Sequence, residues 1–221
     1  MGRAISLALA QLFTAPVLGV LALCALLSAL TFVGVWFGVD YAVEWLWPDS
    51  EGASWLGWLE GLATVLLAWF LFPVVASLFI AMFLEHVCSV VERQHYPDLP
   101  KAEGITVLQS IGVAMSYLGA LLVANLLLLA LLFFPPVYAI AWFAVNGWLI
   151  GREYVELVAL RRLSPKEVKG LRGRHSGESM LTGALIALLM TLPLINLVVP
   201  VFATALTVHR FHDWRRADAP V

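Results

Sequence analysis

The chain has 221 residues, of which 62% are apolar and 13% charged, with a net charge of −2 and a mean hydropathy of +0.90. Soluble domains carry about 25% charged residues, so this composition leaves too few polar side chains to cover a soluble globule. The sequence therefore predicts an integral membrane protein. The negative net charge argues against a nucleic-acid partner, and two cysteines are too few for a disulfide scaffold.

Four long segments contain no Asp, Glu, Lys or Arg, namely residues 4–39, 61–84, 104–151 and 179–209. A helix that crosses the hydrocarbon of a bilayer needs about 20 apolar residues. None of the segments shows the strict alternation of a barrel strand, so the spans are expected to be helical. We therefore predict an all-α, polytopic membrane protein that forms a single membrane domain over residues 1–221.

The first uncharged segment is too long for one crossing, and Pro16 is the natural break because proline removes a helix donor. Residues 1–15 are predicted to form an amphipathic helix at the interface, and residues 16–47 the first span. The second span is predicted over residues 56–95, because the closely spaced Pro97 and Pro100 prevent further helix.

The last two apolar segments are interrupted by central prolines, Pro135 in one and Pro193 in the other. The legs that flank Pro193 have about 13 residues each, a reach of about 20 Å, which is less than the hydrocarbon thickness. We therefore expect two half-penetrating, re-entrant hairpins, over residues 104–163 and 177–214. Superimposing the two central prolines places Arg152 on Arg210, which suggests degenerate copies of one plan.

Charge asymmetry predicts the orientation. Residues 40–60 contain five acids and no Lys or Arg, whereas all 13 basic residues lie in the remaining inter-segment regions and at the ends. The positive-inside rule then places both termini in the cytoplasm and residues 40–60 outside. Tryptophans flank this outer loop, as expected of an interfacial aromatic belt.

Few residues could carry chemistry. Protease, hydrolase, nucleotide-binding and zinc motifs are missing from the sequence, so no catalytic residue, metal or cofactor is expected. His209 and His212 lie one helical turn apart and are expected at a solvated membrane edge. Arg152 and Glu156 are spaced to pair on one helix face, so Arg152 is either an interfacial ion pair or an anion ligand in a cavity.

A continuous string carries a family resemblance. It runs from Asn146-Gly147-Trp148-Leu149-Ile150-Gly151-Arg152-Glu153-Tyr154 through Leu160-Arg161-Arg162-Leu163-Ser164-Pro165. With the closing Leu192–Pro200 segment and the leading helix, it resembles the CysZ sulfate permeases and the wider etoposide-induced family. The resemblance implies a bacterial inner-membrane protein with two long spans and two half-penetrating hairpins, which assembles as a homo-oligomer among membrane lipids. It also implies sulfate uptake for cysteine synthesis.

One departure from the family concerns the anion site. Similar CysZ proteins carry Pro-Gly-Leu-Arg-Arg after the first short helix, whereas this chain reads Pro16-Val17-Leu18-Gly19-Val20 and lacks both arginines. The remaining candidates for binding an oxyanion are Arg152, Arg210, Asn146 and Asn196, and those for an ion pair or gate are Glu153 and Glu156. The sequence thus predicts a permease or channel for sulfate or a related oxyanion. The alternatives are a non-conducting structural or regulatory protein of the same fold and, more distantly, an enzyme acting on lipids.

Overall fold

Helices make up nearly all of the computed structural model, which describes residues 1–46, 58, 61–62, 65–66, 83–192, 195 and 198–218. These residues contain no β-strand, as the sequence predicts. The helices are α1 (Gly2–Leu12), α2 (Ala15–Leu46), α3 (residues 83–95), α4 (Val107–Leu131), α5 (Pro135–Ala159), α6 (Pro165–Arg174), α7 (Ser176–Met190) and α8 (Val199–Ala217).

Contacts divide the chain into two compact units, Ala15–Phe83 and the combination of Met1–Thr14 with Leu84–Val221. The main element of the first unit is α2, whose 24-residue portion Ala15–Gly38 is long and apolar enough to cross a membrane. The hydroxyls of Ser28 and Thr31 donate to the carbonyls of Cys24 and Leu27, four residues earlier. These bonds within the helix let an apolar span carry hydroxyl groups without needing water.

The break between α1 and α2 occurs where the sequence predicts it. α1 ends at Leu12 and α2 begins at Ala15, so Pro16 occupies the first helical turn, where a missing N–H leaves no bond unmade. Within its own unit α1 packs on α8 through a buried face of Ala4, Ala8 and Gln11. The amide of Gln11 donates to Gln94 and its oxygen contacts His95, which joins α1 to the end of α3.

The first hairpin consists of α4 and α5. A capping box between Thr106 and Gln109 begins α4, and the turn after Leu131 ends at Pro135, the first residue of α5. The turn between α4 and α5 therefore lies directly before Pro135, the proline that interrupts this segment in the sequence. By length and composition α4 is long and apolar enough to cross a membrane completely. The apolar part of α5 ends before Arg152, where charged residues begin. The half-penetrating depth of the hairpin stays a prediction.

A short helix, α6, connects the two predicted hairpins. Ser164 caps α6 and shares a capping box with Glu167, Pro165 occupies its first turn, and basic residues lie in its last turn, where the helix dipole favours cations. Val168 and Leu171 are buried, so α6 is amphipathic and packed. The sequence Ser-Pro-x-Glu at residues 164–167 is the signal for this helix start.

The second hairpin packs on the first through backbone contact between α5 and α7. A Cβ atom built on Gly147 would lie 3.0 Å from the Ala184 Cβ, and one on Gly151 would overlap the Ser179 carbonyl. A Cβ on Gly183 would likewise overlap the Gly147 carbonyl and lie 2.8 Å from the Gly151 Cα. The two helices therefore approach more closely than side chains allow, the arrangement that small residues favour between membrane helices.

We predict that Gly151→Ala destabilises the protein by about 1–3 kcal/mol, because the added methyl group must push α7 away from α5. The matched control is Gly177→Ala at the start of α7, where an added Cβ meets nothing within 4 Å. Thermal unfolding of the two purified variants in detergent measures the difference. Equal midpoints for both variants would mean that the helices do not pack through Gly151.

The hairpin depth is tested by cysteine accessibility. If the first hairpin is half-penetrating, a cysteine placed at Pro136 lies near mid-membrane and stays unlabelled by a membrane-impermeant maleimide. The native thiols, Cys24 and Cys88, are free and buried, which keeps the background low. Ser54→Cys in the predicted outer loop is the positive control. Labelling of Pro136→Cys from outside at the rate of Ser54→Cys would show a hairpin that crosses completely.

Candidate functional site

A cavity of about 340 Å³ lies between α4 and α5. Leucine side chains form much of its wall, and Asn125, Tyr138, Trp142 and Asn146 supply the polar groups. The amides of Asn125 and Asn146 each donate one N–H, over 2.8 Å, to the carbonyl four residues earlier. Each amide retains a second N–H for a ligand. The predicted site residue Asn146 therefore lies in a cavity, together with Asn125 of α4.

Arg152 lies six residues beyond Asn146, about 9 Å further along α5. Its side chain is buried, and Nε donates to Glu156 Oε1 over 2.9 Å while Nη2 donates to the Ser116 hydroxyl over 2.9 Å. Arg172 Nη1 donates to the same Glu156 oxygen. The predicted Arg152–Glu156 pair is therefore present. Glu156 joins α5 to α6 through Arg172, and Arg152 joins α5 to α4 through Ser116.

Glu153, the second acidic candidate, faces a different partner. The Tyr117 hydroxyl donates to its Oε2 over 3.0 Å, which joins α5 to α4. Of the two candidates for a gate, Glu153 is therefore held by a neutral group and Glu156 by two guanidiniums.

Arg210, the predicted counterpart of Arg152, lies in a separate network on α8. It forms an ion pair with Glu178 of α7, its guanidinium carbon lies 5.3 Å from the centre of the Trp214 ring, and the Trp214 indole donates to Glu178 over 3.2 Å. The two arginines therefore pair with different carboxylates. Asn196 lies outside the described residues.

The expectation for the two histidines of α8 is wrong. His209 and His212 are 1% and 5% exposed rather than solvated, because α8 packs among the other helices of its unit. The Tyr96 hydroxyl bonds with His209 Nδ1 at 3.0 Å, and His212 Nε2 contacts Glu92 at 3.3 Å. In the part of the chain that the structure describes, no three His, Cys, Asp or Glu side chains gather as a metal site requires.

Glu92 on α3 is the functional candidate that sequence reasoning missed. Arg161 Nη1 donates to its Oε2 over 2.7 Å, and Arg162 donates to both carboxylate oxygens over 2.8 and 3.0 Å. With His212 these contacts make a four-residue cluster, the Glu92 cluster, that joins α3, the end of α5 and α8. A signal existed in the sequence, because Glu92 continues the buried apolar stripe of Leu84, Val87, Cys88 and Val91 at helical spacing.

The cluster holds Glu92 ionised. Burial alone raises the pKa of this carboxyl, but the hydrogen bonds from His212 and Arg162 and the charge and hydrogen bond of Arg161 together hold its pKa well below the ordinary value. A carboxyl with a depressed pKa stabilises the fold above its unfolded pKa, and the contribution is lost as the pH falls from there.

We predict that Glu92→Gln lowers the free energy of unfolding at pH 7 by about 3–5 kcal/mol, because it leaves two buried guanidiniums without an anion. The difference from wild type should narrow as the pH falls below about 4.5, where the unfolded wild-type carboxyl takes up a proton. Glu85→Gln is the matched control, since Glu85 lies 3.9 Å from Arg161 but is largely exposed. Denaturation midpoints between pH 4 and 7 measure both variants, and an equal, pH-independent loss in the two would contradict the assignment.

Comparison with known proteins supplies the family. Residues 4–200 match the sequence profile described as Sulfate transporter CysZ/Etoposide-induced protein 2.4. No curated protein matches the chain. The match runs from α1 into the start of α8 and includes the cavity and the Arg152 network, so it agrees with the resemblance carried by Asn146–Pro165. The chain therefore belongs to the family of the sulfate transporter CysZ and etoposide-induced protein 2.4.

Proposed function

We propose that the chain is a permease or channel that passes sulfate, or a related small oxyanion, across the bacterial inner membrane to supply cysteine synthesis. Membership of a transporter family supports a transporter-like membrane function rather than an enzyme. The observation that carries the proposal is the cavity between α4 and α5, in which Asn125, Tyr138 and Asn146 place polar groups between apolar helices. Polar groups at such a position are costly in lipid unless they serve a hydrated or ligand-filled path.

The Arg152 network supplies the cationic part of the path. Two guanidiniums, from Arg152 and Arg172, converge on one oxygen of Glu156, which leaves one net positive charge on the three side chains. A guanidinium fork suits a tetrahedral oxyanion as well as it suits a carboxylate. The oxyanion takes the place of the Glu156 carboxylate as acceptor, so Glu156 acts as the gate that closes the network when no anion is present.

Arg210 and Glu178 form the corresponding pair of the second hairpin in this proposal. Arg210 is buried, and its Nε atom has no hydrogen-bond partner among the described residues. A buried guanidinium N–H without an acceptor is costly, and an oxyanion would satisfy it. Arg210 therefore stays a candidate for anion binding, as Arg152 does.

We also propose that both hairpins are half-penetrating, that both termini are cytoplasmic and that the chain forms a homo-oligomer. Large apolar side chains along α4, among them Leu122, Leu126 and Leu129, are exposed in the single chain. Lipid or a second copy must cover them. Re-entrant backbone needs cover from protein, which favours an oligomer.

A non-conducting structural role is the rival function, and one observation favours it. Arg152 and Arg210 each already pair with a carboxylate. Arg152 also joins α5 to α4 through the Ser116 hydroxyl, and Arg210 joins α8 to α7 through Glu178, so both arginines are accounted for by bonds that stabilise the fold. The rival predicts that replacing either arginine harms folding and nothing else.

Sulfate flux separates the two functions. Proteoliposomes with wild-type protein should accumulate radiolabelled sulfate, and Asn146→Leu should lower the initial rate about fivefold or more by removing a polar group from the cavity. Arg152→Ala should lower this rate several-fold, whereas Glu156→Gln, which keeps an acceptor but removes the competing charge, should leave the rate unchanged.

Light scattering on the same preparations reports the oligomeric state, and a protein mass of one 24.2 kDa chain would exclude the oligomer.

Gel filtration and the thermal unfolding midpoint check that every variant is folded. Absence of uptake by folded wild-type protein would favour the non-conducting role. Loss of folding in both Arg152→Ala and Glu156→Gln would make the pair structural, and unchanged flux in folded Arg152→Ala would remove Arg152 from the path.

A further inference from the structure

A second cavity, of about 120 Å³, lies among α1, the end of α3 and α8, away from the Arg152 network. Its charged and hydrogen-bonding lining comes from three parts of the chain: Arg3, His95, Tyr96, His209, Asp213 and Arg216. None of these residues belongs to the path proposed above. The composition of the lining is that of an anion site, with two guanidiniums, two imidazoles, one hydroxyl and a single carboxylate.

Arg3 has an uncommitted guanidinium. Within the described residues its side chain makes no ion pair or hydrogen bond, and only its backbone carbonyl is engaged, by the Ser6 hydroxyl at 2.9 Å. By contrast, Arg152, Arg172 and Arg210 and the two arginines of the Glu92 cluster are each paired with a carboxylate. A free guanidinium at a cavity wall is available to donate to an incoming ligand.

Arg216 is held in place on the opposite side. Its Nη2 donates to Asp213 Oδ1 over 2.7 Å, its Nε donates to the His212 carbonyl over 3.4 Å, and its guanidinium carbon lies 5.9 Å from the centre of the Tyr96 ring. Asp213 neutralises one of the two guanidiniums. The lining therefore carries one net positive charge when the imidazoles are neutral.

His209 supplies a second, independent sign of a ligand. Its Nε2 is buried and has no partner among the described residues, while Nδ1 is bonded to Tyr96. In the tautomer that accepts the Tyr96 proton at Nδ1, Nε2 carries the ring hydrogen and is an unused donor.

We propose that this cavity binds a tetrahedral oxyanion, with the Arg3 guanidinium as its principal ligand and Arg216 and His209 completing the wall. The same chemistry is offered by free sulfate or phosphate and by the phosphate group of a lipid. A lipid phosphate can reach the cavity if α1 lies at the membrane interface, as the sequence predicts for residues 1–15. The choice of sulfate as the free anion rests on the proposed function, whereas the affinity of the cavity for oxyanions does not.

The test measures equilibrium binding of radiolabelled sulfate and of inorganic phosphate to the full chain in nanodiscs of phosphatidylcholine. Arg3→Gln should weaken binding about tenfold, because it removes the free charge-assisted donor. Arg215→Gln is the matched control: it removes the same charge one residue from Arg216, but Arg215 lies over Phe211 and does not line the cavity. Neither substitution removes a bond that holds helices together, so both variants should fold.

The second arm replaces a fraction of the phosphatidylcholine with phosphatidylglycerol. Displacement of sulfate by this lipid, or Arg3-dependent retention of the lipid without sulfate binding, identifies a headgroup site. Sulfate binding that the lipid does not displace identifies a free-anion site. Equal losses in Arg3→Gln and Arg215→Gln, or no binding of either ligand, would overturn the proposal.

Sulfate flux into proteoliposomes, measured beside binding, distinguishes failure of this inference from failure of the proposed function. Arg3-dependent binding with no sulfate flux would leave the cavity assigned and refute transport. Sulfate flux with binding that is insensitive to Arg3 would support transport and refute the cavity.

Discussion

Close backbone contact between α5 and α7 is the constraint on which the arrangement of the two hairpins depends. Gly147, Gly151 and Gly183 leave no room for a side chain between the helices. Lipid supplies no hydrophobic force that would drive two apolar helices together, so association must come from packing, and packing is best where backbones meet. Gly151 of α5 lies against Ser179 of α7. Because Arg152 directly follows Gly151 and Glu178 directly precedes Ser179, the contact also sets the positions of these two charged residues.

Charged side chains then gather near the ends of the helices, and three of the clusters are each centred on a glutamate. Glu156 joins α4, α5 and α6 through Arg152 and Arg172, Glu92 joins α3, α5 and α8, and Glu178 joins α7 to α8 through Arg210. Glu92 and Glu156 are largely buried, and several charge-assisted bonds repay the desolvation of each, whereas Glu178 is half-exposed. The clusters give the helix ends a fixed geometry outside the apolar segments. The cavity between α4 and α5 lies beside one of them, which places polar lining and positive charge along the same hairpin.

The sequence predicted where helices begin, because helix starts depend on neighbouring residues. It did not predict contacts between residues that are far apart in the chain. Proline fixes where a helix can begin, so the breaks before Pro16 and Pro135 followed from the residues themselves. Pairing at the spacing of one helical turn likewise predicted Arg152 with Glu156. Glu92 was missed because its partners lie about 70 and 120 residues further along the chain. The histidines of α8 were misread for the same reason: charged neighbours in sequence suggested solvent, while α1 and the end of α3 cover them in space. Asn146 was selected from the sequence, but only the fold shows that it shares a cavity with Asn125.

The shortness of α7 has a consequence for how the protein is made. This helix has 15 residues, about 22 Å of length against a hydrocarbon layer of about 30 Å, so it is a poor candidate for insertion into lipid by itself. Synthesis proceeds from the N-terminus, and α5 with its glycine face leaves the ribosome first. If the hairpins are re-entrant, as proposed, the first hairpin is already present as a docking surface when α7 emerges, and the second can enter the membrane against protein rather than against lipid. In that arrangement, exchanging the order of the two hairpins along the chain would leave α7 without a docking surface when it inserts.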